Sequence, residues 1–237
     1  MKRHWIQGLL TAALLAAWPL MAEEEESAAH FLERVRTRQQ AETRGELEGT
    51  LQHLRKGGRM EEYPCVLTVR LGAAGARARM SVDGRAPVEL PEPAGTKADE
   101  ASSAALLARC GVRLGDLMMD FLQYRLTGEA PAETVRAVPC RVLELAAPDG
   151  SERAQVYIAR DYLFPLKAVF FTEAGGDEPA RTLEIASFKQ QNGLYYAELI
   201  NLRGPEWRSR VTFRKVRLAF AAPGDPLPTP EEPKEKP

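Results

Sequence analysis

Two stretches, Cys65-Val66-Leu67-Thr68-Val69-Arg70-Leu71 and Ala76-Arg77-Ala78-Arg79-Met80-Ser81-Val82, share one habit. Cys65, Leu67, Val69 and Leu71 fall on one parity, with Thr68 and Arg70 on the other. Ala76, Ala78, Met80 and Val82 then oppose Arg77, Arg79 and Ser81. Side chains point alternately to the two faces of a strand, so the pattern predicts a sheet with one apolar and one wet face. Antiparallel sheets carry that signature; parallel ones are greasy on both sides.

The same period extends in both directions. Upstream, Leu47, Gly49 and Leu51 oppose Glu46, Glu48, Thr50 and Gln52, and Lys56-Gly57-Gly58-Arg59 reads as the turn that follows. Downstream of Pro139, Ala154, Val156 and Ile158 oppose Arg153, Gln155 and Tyr157. Leu166, Ala168 and Phe170 follow, then Leu183 and Ile185, then Tyr195, Ala197 and Leu199. Trp207, Val211 and Phe213 hold one parity and Val216, Leu218 and Phe220 the other. That flip predicts a bulge near Arg214-Lys215, because one extra residue reverses every side chain behind it. Gly175-Gly176 and Asn192-Gly193 sit where hairpins need positive φ.

Helical spacing occurs in three places. Ser27 to Gln40 puts Phe31, Leu32 and Val35 on one face behind a capping serine. Ser102 to Arg109 is the second. Asp116 to Tyr124 is the third, with Leu117, Met118, Phe121 and Leu122 forming a wide apolar stripe. The stretch from Arg85 to Ala101 reads as loop. The expected fold is therefore mainly β with some α: one curved antiparallel sheet, an incomplete or half barrel of about 9–11 strands, covered by two or three lid helices. The stripe of Leu117, Met118, Phe121 and Leu122 is the candidate lid.

Composition removes several function classes. Lys plus Arg number 32 against 33 Asp plus Glu, which leaves no global basic field for nucleic acid. Hydrophobic residues at 44% of 237 are enough for a packed core and too few for a membrane bundle. Lys2 and Arg3 precede an apolar run from Ile6 to Met21, which ends at Ala22 before four glutamates. That order predicts a secretory signal peptide over residues 1–22 and an exported, soluble, mildly acidic chain after cleavage. The remainder divides into a folded domain over 27–220 and a proline-rich, unpacked tail over 221–237.

Catalytic patterns are missing: no GxSxG, no phosphate loop, no GxGxxG and no HExxH. His30 and His53 are isolated and read as structural or solvated. Asp116 and Asp120 lie four apart and could share a proton or a metal, but Asp116 also suits the start of a helix, where the dipole favours an acid. The alternating Arg77, Arg79, Arg208 and Arg210 read as a solvated strand exterior. Cys65, Cys110 and Cys140 allow one disulfide in an oxidising compartment, Cys110 with Cys140 or Cys65 with Cys140; equally, all three suit small buried hydrophobes. No cofactor and no metal are expected, and no enzymatic activity.

Several segments in order resemble the outer-membrane lipoprotein-sorting (LolA-like) family. These are Gly115-Asp116-Leu117 with Asp120-Phe121-Leu122, Cys140-Arg141-Val142-Leu143-Glu144-Leu145, and Phe164-Pro165-Leu166-Lys167-Ala168. Arg181-Thr182-Leu183-Glu184-Ile185 and Ser187-Phe188-Lys189 follow, before Gly193-Leu194-Tyr195. The resemblance implies a lidded incomplete barrel whose apolar interior receives acyl chains, each buried methylene being worth about 0.8 kcal/mol. It also implies an acylated lipoprotein or lipid as cargo, inner- and outer-membrane handover proteins as partners, and a monomer. Leu51, Leu67, Val69, Met80, Val156, Ile158, Phe170, Leu183 and Phe213 are then the expected lining. A second reading keeps the fold and makes it an envelope sensor that contacts a protein partner; a third fills the interior with the protein's own side chains.

Overall fold

The computed structural model describes residues 26–39, 42–72, 75–91, 99–172 and 176–222. The expected signal peptide over 1–22 lies outside them, as does the tail beyond Ala222. After helix α1 (Ala28–Gln39), four strands run β1 (Thr43–Arg55), β2 (Glu61–Leu71), β3 (Arg77–Val82) and β4 (Val88–Leu90). Two short helices, α2 (Ser103–Arg109) and α3 (Leu114–Leu117), and a 3-10 turn at Asp120–Gln123 come next. Seven strands complete the chain: β5 (Arg125–Val135), β6 (Val138–Ala146), β7 (Glu152–Ala159), β8 (Phe164–Thr172), β9 (Arg181–Gln191), β10 (Leu194–Gly204) and β11 (Trp207–Phe220).

All eleven strands belong to one antiparallel sheet, ordered β4-β3-β2-β1-β11-β10-β9-β8-β7-β6-β5. It is not closed: β4 and β5 are its two edges. Because these edge strands are neighbours in sequence, the chain between them has to cross the mouth of the curved sheet. That crossing chain is α2, α3 and the 3-10 turn, so the lid follows from the topology. Ser102 caps α2 through its Oγ, which accepts from the Ala105 N–H at 3.2 Å. Ser103, fully buried, then fixes α2 to the sheet by accepting from the Val82 N–H at 2.9 Å.

The expected bulge is present. In the pairing of β1 with β11, Glu48 faces Lys215 and Gly49 faces Phe213, which leaves Arg214 as the extra residue. A Cβ on Gly49 would run into the Thr212 carbonyl and the Phe213 Cα, so only glycine fits there.

Five expectations change. The helix read over Asp116–Tyr124 is broken: Met119 adopts φ 58°, ψ 34°, and its left-handed backbone separates α3 from the 3-10 turn. β5 appears where no strand was read, and β4 within a stretch read as loop. In β10, shifts of register around Leu199 bury Ala197, Ile200 and Leu202 rather than holding Tyr195 and Leu199 inward. In β8, a bulge opposite Tyr157/Ile158 moves Leu166 into a smaller cluster on the other face, with Tyr157, Val142 and Val169.

We expect Gly49→Ala to destabilise the protein by about 2–3 kcal/mol, since the Cβ meets backbone that cannot move without breaking the β1–β11 ladder. Urea denaturation followed by circular dichroism measures the loss, and an unchanged midpoint would contradict the bulge geometry.

Candidate functional site

The nine residues expected to line the interior come together. Leu51, Leu67, Val69, Met80, Val156, Ile158, Phe170, Leu183 and Phe213 share one core cluster, and none is more than 6% exposed. Leu117, Phe121 and Leu122 enter the same cluster from the lid, and Met118, partly buried, packs against it. The Phe121 ring stands edge-on to Phe170, centroids 5.4 Å apart. A side chain bordering a water-sized void would keep accessible area, and these keep almost none. The concave face is thus filled by the protein's own lid and by Phe31, Leu32 and Val35 of α1.

Ionic contacts hold that lid down. Arg181, on β9, has the inward parity of Leu183 and Ile185 and is 6% exposed. Its Nε and Nη2 donate to the two oxygens of Asp116 on α3, both at 2.8 Å. On its other side, Nη2 donates to Glu152 Oε1 at 3.0 Å and Nη1 to Glu152 Oε2. Glu152, at the start of β7, also accepts from Arg113 at 3.1 Å and from the Tyr124 hydroxyl at 3.2 Å. The Arg181 guanidinium lies over the Phe170 ring at 3.8 Å, so the pair that secures the lid sits on the ring the lid covers. Burial opposes charge on Glu152, but the Arg181 contacts outweigh it and hold the carboxyl below its usual range.

A second clamp comes from α1. Arg36 donates from Nε to the Leu122 carbonyl and from Nη2 to the Tyr124 carbonyl, both at 2.8 Å, satisfying the end of the 3-10 turn. Arg141, stacked at 4.7 Å on Phe31, forks to Glu129 at 2.6 Å twice and so ties α1 to β5 and β6. Sequence reading missed Arg181, Glu152 and Arg36. Arg181 and Glu152 did leave a signal: each is a charge on the inward parity of its strand, beside Leu183 and Ile185 or beside Ala154, Val156 and Ile158.

Asp116 therefore serves as an ion-pair partner and not simply as a helix-start acid. Asp120 differs: burial first, and the Asp116 charge second, push its carboxyl up to about 6. His53 is structural. Its Nδ1 lies 2.8 Å from Ser209 Oγ, which donates to the Cys110 carbonyl at 2.6 Å. Neither disulfide that the sequence allows, Cys110 with Cys140 or Cys65 with Cys140, is formed. All three cysteines are free and buried, and Cys110 lies in the inner cluster while Cys140 lies in the outer one, across the sheet. Burial pushes the Cys65 thiol up to about 12 and Cys110 to about 11, so neither is a nucleophile near neutral pH. Arg77, Arg79, Arg208 and Arg210 are exposed, as expected. Among the described residues no cluster of His, Cys, Asp or Glu could hold a metal ion, and no helix is long and apolar enough to cross a membrane.

Two openings flank the filled interior. One, of about 580 Å³, lies between the lid and the β4 edge and reaches Leu107, Leu114, Trp207, Arg113 and Arg181. The other, of about 220 Å³, lies where the end of α1 meets the sheet rim.

No protein-family model matches the sequence, and no curated protein matches it. Solved structures do. A domain described as an outer membrane lipoprotein-sorting protein, from Vibrio parahaemolyticus, superposes with TM-score 0.61 at 13% identity, covering 81% of this chain and 92% of that one. A DUF1329 family protein from Desulfovibrio piger gives 0.54 at 15% identity, covering 79% and 90%. A LolA superfamily protein from Nitrosomonas europaea gives 0.52 at 13% identity, covering 83% and 96%. The fold is LolA-like.

Because its folded value is raised, the Asp120 carboxyl favours the native state only when protonated, and that contribution is lost as pH rises through about 6. Asp120→Asn, neutral at every pH, should raise stability by about 1–2 kcal/mol at pH 7.5 and by nothing below pH ~4. Denaturation midpoints of the two proteins across pH 4–8 test this; a pH-independent difference would contradict it.

Proposed function

We propose that this LolA-like chain is an exported, non-enzymatic carrier that binds acyl chains, of a lipid or an acylated lipoprotein, against the concave face of its sheet. The observation that carries the reading is that the concave face is covered by a separate crossing segment fastened to the sheet through a buried ion cluster. Phe121 and Leu122 occupy an apolar surface built by nine strands' worth of inward side chains, and they hang on a segment held both by the packing of Leu106, Leu107, Val112, Leu114 and Leu117 and by a buried ion cluster. Apolar side chains held in place by packing alone would serve a structural core equally well. A buried Arg181–Asp116–Glu152 cluster does something else. Opening the lid returns its charges to water, so desolvation regained offsets much of the attraction lost. Acyl chains then replace Phe121 and Leu122 on the sheet, and the apolar area covered in the two states is similar.

In this reading each part has a task. Leu51, Leu67, Val69, Met80, Val156, Ile158, Phe170, Leu183 and Phe213 form the acyl-binding surface. Leu117, Met118, Phe121 and Leu122 are the displaceable filling. Arg181 and Arg36 set how often the lid leaves. The signal peptide over 1–22 delivers the chain to the periplasm, where handover proteins of the two membranes would load and unload it.

A ligand that binds only the open form has its affinity reduced by the open fraction. Asp116→Asn keeps the shape of the side chain and removes its charge, which loosens the lid while Glu152 still pairs with Arg181. It should tighten binding of a fluorescent palmitoyl-peptide by about tenfold. Fluorescence titration reads the affinity, with circular dichroism to establish that the variant is folded. A folded Asp116→Asn protein with unchanged affinity would count against a lid-gated interior, and failure of both proteins to bind would favour the sensor or structural readings.

A further inference from the structure

Three of the four large hydrophobic residues that stand exposed among the described residues converge on one place: Tyr162 at 46%, Tyr195 at 43% and Phe220 at 64%. They surround the cleft of about 220 Å³ between the C-terminal end of α1 and the rim of the sheet. Exposed aromatics gathered at a concavity mark an interaction site, whereas scattered ones need no explanation. The walls are built as a unit: Phe188 stands 5.8 Å from Tyr162, 5.8 Å from Phe164 and 6.3 Å from Tyr195, centroid to centroid. The floor is continuous with the interior, since Phe164 and Phe188 pack against the main core cluster.

One charge overlooks this cleft at close range. Arg38, exposed at the end of α1, lies 5.5 Å over the Tyr195 ring, and no carboxylate among the described residues forms an ion pair with it. The other basic residues near the end of α1 are engaged: Arg36 holds lid carbonyls and Arg34 pairs with Glu26. An apolar slot with a spare guanidinium at its lip fits a molecule with an alkyl tail and an anionic head. We propose that this cleft is a preformed subsite for a single-chain alkyl carboxylate, the tail lying among Tyr162, Phe164, Phe188 and Phe220 and the head on Arg38. The inference rests on the carrier reading but adds a second place for an aliphatic chain, outside the covered interior. The cleft lies on the α1 side, away from Arg181, so it is open while the lid is shut. It would hold a chain end before the interior is vacated.

The test uses the full mature chain and two probes of equal tail length, sodium dodecanoate and dodecyltrimethylammonium, below their micellar concentrations. Titration calorimetry on the wild type, Arg38→Gln, Tyr195→Ser and Asp116→Asn separates the sites, with thermal melting to establish that each is folded. Dodecanoate should bind the wild type, about fivefold more weakly on Arg38→Gln and about tenfold more weakly on Tyr195→Ser. Dodecyltrimethylammonium should bind more weakly than dodecanoate and gain from Arg38→Gln. Equal binding of the two probes overturns the assignment of the head to Arg38. Dodecanoate binding that ignores Arg38→Gln and Tyr195→Ser but rises with Asp116→Asn overturns the cleft and leaves the interior carrier standing. Binding lost in the cleft variants, with no palmitoyl-peptide binding in Asp116→Asn, supports the cleft and removes the interior. No binding of either probe to any protein overturns the cleft.

Discussion

The pairing of β1 with β11, register-locked from Thr43–Phe220 to Arg55–Trp207, is the constraint on which the architecture depends. It joins a four-strand unit from the start of the chain to a seven-strand meander from its end, and it is the one strand pairing that sequence proximity does not favour. Once it forms, β4 and β5 become the edges, and the thirty-odd residues between them must bridge the mouth. The Gly49 bulge sits in the middle of this pairing. It turns Val216 and Leu218 inward after Phe213, so that both ends of β11 contribute to the same core.

Set across that mouth, the lid meets two kinds of force. Phe121 and Leu122 are held by area, which any other hydrocarbon could cover equally well. Arg181, Asp116 and Glu152 are held by charge, strong when dry and weak when wet. A fastener of this kind adds little to overall stability, but it fixes where the lid closes: the bidentate geometry admits one placement of α3 over Phe170. Met119 takes a left-handed backbone at a cost of about 1 kcal/mol so that α3 presents Asp116 to β9 while the next turn sends Phe121 into the core.

How much of this was readable in the sequence follows from what each part asks of its residues. Strands with one buried face must alternate, so β2, β3, β7 and β11 were legible, and the parity flip at Arg214 located a bulge. β5 has little apolar alternation to show: it is an exposed edge carrying Gly128 and Pro131, with only Val135 buried. The break at Met119 arises from tertiary docking, since nothing about methionine favours a left-handed backbone. The nine interior residues were legible because they only had to be apolar and inward. Arg181 and Glu152 were hidden by the same rule, as a charge at the end of a strand reads as solvent-facing until its parity is compared with that of its neighbours. Arg36 gave no signal at all; its partners are backbone carbonyls 86 and 88 residues away.

The two edges of the sheet have a further consequence. An open eleven-strand sheet offers unpaired backbone at both ends, the usual template for unwanted polymerisation. Here β4 is three residues long and its Glu89 is forked by Arg79, while β5 is kinked by two shifts of register and carries Pro131 within the second. Neither margin can template a long, flat ladder with a neighbouring molecule. A sheet this wide, with two free margins, has particular need of such blunting. They keep the sheet itself from being recruited into fibres.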